Sequence, residues 1–129
     1  MSSHSLLRSL IFALLTCAMP PALQADSPDS SEAEIAYLLE FVASSDCLFI
    51  RNGSSHEATD AADHLRLKYG RGQKYVNSAE QFIDRLASES SWTGQAYTVE
   101  CRGRSETSRQ WLYRALEPVS YTHLRAHET

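Results

Sequence analysis

The chain contains 129 residues, of which 16 are acidic and 12 are basic, and 43% of its residues are hydrophobic. A chain of this length and apolar content is expected to form one small domain with a modest core. The composition argues against a coiled coil, a collagen-like or disordered chain, and a basic nucleic-acid-binding protein. We therefore expect no nucleic acid among its partners.

The N-terminal segment 1–25 is typical of a secretory signal peptide. Arg8 supplies the positive charge that precedes the apolar run Leu10–Met19. Two consecutive prolines end this run, and Ala25 supplies the small residue of a cleavage site. The run is too short to cross about 30 Å of hydrocarbon as a stable helix. We expect the segment to be removed on export, with no membrane anchor left behind.

A helix and a strand are predicted after this segment. The helix begins at the capping box Ser31–Glu34 and runs to about Ser44. Its apolar stripe has helical spacing and consists of Ile35, Leu38, Leu39 and Val42. The β-prone run Cys47–Arg51 follows, and the Asn52-Gly53 pair predicts a turn.

Three further helices are predicted. The second begins at the capping box Ser54–Glu57 and ends at Tyr69, before two glycines. The third begins at the capping box Asn77–Glu80. The last helix follows a turn at Arg102–Ser105. The apolar stripes of these helices contain Leu65, Phe82, Ile83, Leu86, Trp111, Leu112 and Ala115. We expect Leu39, Phe49, Leu65, Phe82, Leu86 and Trp111 to share one core.

A second strand is predicted at Ala96–Cys101, after the polar loop Ser88–Gly94. If Cys47 lies opposite Cys101 in an antiparallel ladder, then Phe49 lies opposite Val99 and Arg51 opposite Tyr97. The predicted fold is therefore mainly α with a small two-stranded antiparallel β-ribbon, an α+β domain with about four helices and one disulfide.

The C-terminal segment 118–129 is expected to be a non-native tail. The eleven residues Val119–Thr129 match, without interruption, one reading frame of a transposon-end adapter used in sequencing-library preparation. On this interpretation the domain occupies residues 26–117. His123 and His127 are accordingly excluded from any candidate site.

The three cysteines reduce to one pair once the signal peptide is removed, because Cys17 leaves with it. In an oxidising compartment Cys47 and Cys101 are expected to form a disulfide with Cα atoms within about 7 Å. In the chain-entropy treatment, closing a loop of about 55 residues stabilises a fold by roughly 4 kcal/mol. Free thiols and a shared metal ion are the alternatives, although only His56 and His64 are available as further ligands.

Four sequence blocks in order resemble the YfeK-like family of small exported bacterial proteins, a domain of unknown function. The blocks are Phe49–Gly53, Ala61–Lys68, Ala79–Asp84 and Ser90–Tyr97. The resemblance spans roughly residues 34–116 and implies a periplasmic location, but it implies no reaction. One departure is Gly94-Gln95-Ala96-Tyr97, where the family commonly has Gly-Lys-Pro-Tyr.

The polar residues of these blocks are the candidate ligand-binding residues: Arg51, His64, Lys68, Ser90, Ser91, Trp92 and Tyr97. The functional interpretation is a polar site in which Arg51 binds a carboxylate or phosphate. The structural alternative is that Arg51 pairs with Asp46 or Glu57, that His64 meets a backbone carbonyl and that the serines close a loop. Trp92 is either an exposed anchor for a partner or a lid over the core beside Trp111.

Two functions remain open from the sequence. The first is a non-catalytic binding or interaction module of the periplasm, whose partner is an anionic or polar small molecule or an envelope protein. The second is a small periplasmic hydrolase using His64 with Ser90 or Ser91, although no nucleophile-elbow motif accompanies these serines. No cofactor and no metal are expected. The candidate metal ligands would be His56, Asp60 and His64, which are predicted to lie on one helix. Along that helix they would span about 12 Å, which is too far for all three to bind a single ion.

Overall fold

The computed structural model describes residues 16–19 and 28–126. Its elements, in chain order, are α1 (Pro28–Ala43), β1 (Leu48–Arg51), β2 (Ser54–His56), α2 (Ala58–Gly72), α3 (Ala79–Phe82), β3 (Thr98–Cys101), β4 (Arg104–Thr107) and α4 (Ser108–Ala126). A short 3-10 turn, Gln73–Tyr75, extends α2, and a π-helical turn, Ile83–Ala87, extends α3. The fold is α+β.

Two of the sequence interpretations concern residues that lie largely outside the described part of the chain. They are the proposed signal peptide, most of which is not described, and the proposed non-native tail, whose side chains are not described from Tyr121 onward. The backbone of α4 continues as helix to Ala126. Among the helices that the structure describes, none is both long and apolar enough to cross a membrane.

The two central strands pair in the predicted register. In the antiparallel β1–β3 ladder, Phe49 lies opposite Val99, and the preceding residue, Leu48, lies opposite Glu100. One residue before the ladder begins, Cys47 and Cys101 form a disulfide with Cα atoms 4.8 Å apart. Both predictions are confirmed. The buried side chains of Phe49 and Val99 fix which face of the sheet meets the helices.

The sheet has four strands, so the prediction of a two-stranded ribbon is wrong. Its strand order is β2-β1-β3-β4, and each outer strand is joined to its neighbour by a two-residue turn. Asn52-Gly53 closes one hairpin and Arg102-Gly103 the other, and all four residues have positive φ angles, from 50° to 80°. Turns of this kind match the twist of paired strands and therefore favour hairpins.

The capping box predicted at Ser54–Glu57 is wrong because its first three residues form β2. Helix α2 begins at Ala58 instead, with Glu57 in extended backbone and no side-chain cap. The turn predicted at Arg102–Ser105 is likewise shorter than expected. Its last two residues belong to β4. In both places a polar segment forms the second strand of a hairpin. The sequence of such a segment has no alternation of apolar and polar residues that would predict a strand.

Three helix boundaries also differ from those predicted. Helix α1 begins at Pro28, so Ser31–Glu34 lies inside it rather than at its start. Proline favours a first helical position, since its missing N–H has no partner there in any case. Helix α2 continues past Tyr69 to Gly72. The cap of α3 is Ser78, whose Oγ accepts a hydrogen bond from the Gln81 backbone N–H at 3.1 Å.

Helices α2 and α4 contact the sheet, and α1 packs against both of these helices and against α3, so that the four helices and the sheet share one core. Phe82, Leu38 and Leu112 are fully buried there. Trp111 joins helix and sheet because its ring meets Phe49 edge-on at 5.5 Å between centroids. The predicted core is confirmed for Leu39, Phe49, Leu65, Phe82 and Trp111, and Leu86 packs against it while only partly buried.

Replacing Phe82 with alanine should lower the free energy of unfolding by about 3–5 kcal/mol, because the substitution leaves a large cavity at a fully buried position. Urea unfolding followed by circular dichroism measures the loss. Leu67→Ala is the matched control, since Leu67 is 51% exposed on α2 and should change stability by less than about 0.5 kcal/mol. Equal losses for the two variants would contradict the core assignment.

Candidate functional site

All seven candidate residues line one cleft of about 630 Å³. We call it the outer cleft. Arg51 reaches it from the end of β1, while His64 and Lys68 reach it from α2. The remaining candidates come from the segment that leads into β3: Ser90, Ser91, Trp92 and Tyr97. The structure thus brings the predicted residues together, and their role in binding stays a prediction.

The Tyr97 hydroxyl contacts two other side chains of the outer cleft. The side chain of Tyr97 is buried, and Lys68 Nζ donates a hydrogen bond to its hydroxyl at 3.2 Å. His64 Nε2 lies 3.4 Å from the same oxygen. Lys68 Nζ also donates to the backbone carbonyl of Glu89 at 3.1 Å. His64 therefore meets a phenol rather than the backbone carbonyl of the structural alternative.

Arg51 is half-buried in this cleft without a carboxylate partner among the described residues. The ion pairs of that part of the chain are formed by Arg66, Arg109 and Arg114. The proposed pairing of Arg51 with Asp46 or Glu57 is therefore absent there. The guanidinium remains available to a ligand.

The outer cleft is strongly cationic. Burial, followed by the charges of Arg51, Lys68 and His56, lowers the pKa of His64. Burial and the Arg51 charge also lower the pKa of Lys68, against a smaller opposing effect of Glu89. Burial is the larger cause of both shifts, and the repulsion from neighbouring positive charges adds to it. An anion in the cleft would relieve this repulsion.

The loop that carries Trp92 is held by polar contacts. The hydroxyl of Ser90, a buried residue, accepts hydrogen bonds from Asn52 Nδ2 and from the backbone N–H of Trp92, both at 3.3 Å. Thr93 Oγ1 donates to Asn52 Oδ1 at 2.7 Å. The indole is 97% exposed at the rim of the cleft, whereas Trp111 is buried. The interpretation of Trp92 as a lid over the core is therefore wrong.

The contacts of Ser90 do not match those of a nucleophile. The Ser90 hydroxyl accepts from Asn52 Nδ2 and from the N–H groups of Trp92 and Thr93, so its lone pairs are engaged. His64 contacts Tyr97 rather than Ser90. A nucleophile needs a base within hydrogen-bond reach of its own hydroxyl. The geometry thus gives the hydrolase interpretation no support at Ser90.

A smaller cavity of about 240 Å³ adjoins the outer cleft, and we call it the inner chamber. It shares Arg51, His64 and Tyr97 with the outer cleft. Its other lining residues are Phe49, Ile50, His56, Asp60, Ala61, Leu65 and Ser108.

The prediction that His56, Asp60 and His64 lie on one face of a helix is wrong, because His56 lies in β2. No group of three or more metal-ligating side chains occurs within residues 16–19 and 28–126.

Sequence reasoning missed two polar side chains of the outer cleft, Asn52 as a brace of the loop and Arg71 as a further cation. Arg71 follows Lys68 by three residues on α2, a spacing that places both side chains on one side of the helix. The helical spacing was present in the sequence, but the helix was predicted to end at Tyr69.

The chain is similar to proteins of a known family. The sequence profile of the family of unknown function DUF5329 matches residues 29–120. The chain belongs to this family. It is also similar to the uncharacterized protein YfeK of Salmonella typhimurium, with 46% identity over 67 residues. That match covers 51% of this chain and 56% of the relative. No solved structure matches the chain.

Ser90→Ala should destabilise the protein by about 1–3 kcal/mol, because the N–H groups that its hydroxyl satisfies would lose their acceptor. Ser91→Ala is the neighbouring control, and its exposed side chain should contribute less than about 0.5 kcal/mol. Chemical denaturation of both variants measures the difference. A neutral Ser90→Ala would show that the loop does not depend on this hydroxyl.

Proposed function

We propose that the protein is a non-catalytic periplasmic binding module that captures an anionic small molecule in the outer cleft. The observation that carries this proposal is the half-buried Arg51 guanidinium, which has no carboxylate partner within the described residues and lies beside Tyr97. A planar guanidinium matches the two oxygens of a carboxylate or phosphate. Lys68 provides additional positive charge from α2, and His64 beside it can take up a proton when an anion binds.

The electrostatic balance supports an anion rather than a neutral or cationic ligand. Arg51, His64, Lys68 and Arg71 line the outer cleft, and no carboxylate side chain of the described residues does. Glu89 contributes its backbone carbonyl to Lys68. Burial is the main cause of the lowered pKa values of His64 and Lys68, and the Arg51 charge adds to it; a bound anion would offset this added repulsion.

Two observations support the periplasmic location. The segment 1–25 has the charged, apolar and small-residue pattern of an export signal. The Cys47–Cys101 disulfide is of a kind that forms and persists in oxidising compartments.

Sulfate is a suitable probe because its charge is constant near neutral pH. Arg51→Lys should weaken sulfate binding about tenfold, the effect of losing one charge-assisted hydrogen bond worth roughly 1.5 kcal/mol. Titration followed by two-dimensional ¹H–¹⁵N NMR measures even a millimolar Kd. Arg102→Lys is the control, since Arg102 occupies the turn of the other hairpin and should leave the Kd unchanged.

The melting temperature of Arg51→Lys distinguishes a site from a scaffold. We expect it to equal that of the unmodified protein. Unchanged sulfate binding in Arg51→Lys, or a loss of binding that follows a loss of stability, would leave Arg51 as a structural residue and contradict the proposal.

Sulfate affinity should rise as the pH falls from 8 toward 5. His64 has a lowered pKa in the free protein, and a bound anion raises it, so binding takes up a proton. Arg51 of β1, His56 of β2, Lys68 of α2 and Tyr97 all face this imidazole. His64→Asn should remove most of the pH dependence between pH 5 and 7. A pH-independent Kd in the unmodified protein would contradict a role for His64.

A further inference from the structure

The inner chamber differs chemically from the outer cleft. Its walls include the apolar side chains of Phe49, Ile50, Ala61 and Leu65. An apolar cavity of about 150 Å³ is large enough to bind benzene. The inner chamber, at about 240 Å³, therefore has room for a group the size of one six-membered ring.

Arg51, His64 and Tyr97 line both cavities, so they form the boundary between the cationic and the apolar regions. A guanidinium at such a boundary can bind an anionic group on one side while the attached apolar group lies on the other. The charges along α2 favour one orientation of such a ligand. Lys68 and Arg71 line only the outer cleft, whereas Asp60 lines only the inner chamber.

We infer that the ligand is an amphipathic anion, whose carboxylate or phosphate binds Arg51 and Lys68 and whose ring-sized apolar group occupies the inner chamber. This inference rests on the proposed function and specifies its ligand class. Burial of the apolar group adds affinity in proportion to the area removed from water. Asp60 repels an anionic group that enters the chamber first and thereby keeps the charge at the outer end.

The test compares acetate, benzoate and benzamide by NMR titration of the whole protein. Acetate and benzoate carry the same charge, whereas benzoate and benzamide carry the same ring. We expect benzoate to bind at least tenfold more tightly than either of the others. Benzoate, but not acetate, should shift the methyl signals of Ala61 and Leu65 through the ring current. A comparison of phenyl phosphate with inorganic phosphate tests the same effect of the ring for a phosphate instead of a carboxylate.

A variant that fills the chamber provides an independent check. Ala61→Leu should reduce benzoate affinity to that of acetate and leave sulfate binding unchanged. If this variant does not fold, the methyl shifts in the unmodified protein decide the question.

Equal Kd values for acetate and benzoate would overturn the inference while leaving the proposed function intact. Failure of sulfate, acetate and benzoate alike to bind would overturn the proposed function itself. Equal binding of benzoate and benzamide would show that the anion is not recognised.

Discussion

The antiparallel register between β1 and β3 is the constraint on which the rest of the structure depends. The Cys47–Cys101 disulfide lies at one end of this pairing, and the outer cleft lies at the other. A slip of one residue would turn Phe49 and Val99 away from the helices and carry Arg51 to the opposite face of the sheet. Core and candidate site are therefore fixed by the same pairing. A covalent link across it limits such slippage, since the two strands cannot slide past each other.

The cationic cluster carries an energetic cost in the free protein. His64 and Lys68 have lowered pKa values because they are partly buried and close to Arg51. Folding alone gives no reason to bring these charges together, since apolar residues could support the same helix. Side chains whose pKa is shifted by burial together with specific charged neighbours are more frequent at functional sites than elsewhere. The arrangement is accordingly the main structural support for the proposal that this protein binds a ligand.

The central part of the fold was predictable from local patterns. The two cysteines and the alternation around Phe49 define the β1–β3 register, and helical spacing defines the core-facing stripes. The outer strands were not predictable in the same way, because Ser54–His56 and Arg104–Thr107 are polar and lack an apolar alternation. Their strand conformation follows from the turns beside them. One of these places Arg102 at a φ of 51°, which no sequence signal marks.

The candidate site was predictable only in part, for a related reason. Gly70 and Gly72 were interpreted as a helix end, which left Arg71 out of the site. Gly72 has another role, since a Cβ there would lie 3.2 Å from Leu86 Cδ2. The glycine allows a close approach between α2 and Leu86 while the helix continues. The inner chamber was beyond sequence reasoning altogether, because His56, one of its lining residues, lies in a strand that the sequence does not predict.

The two outer strands also protect the molecule against association with its own copies. An unpaired strand edge offers free N–H and C=O groups to any second sheet, and proteins limit this hazard with short or charged edge strands. Strand β2 has three residues, and β4 carries Arg104 and Glu106. The β-prone segments around Phe49 and Val99 are meanwhile enclosed between them. The hairpins thus keep the aggregation-prone strands inside the sheet and present edges that a second sheet would extend poorly.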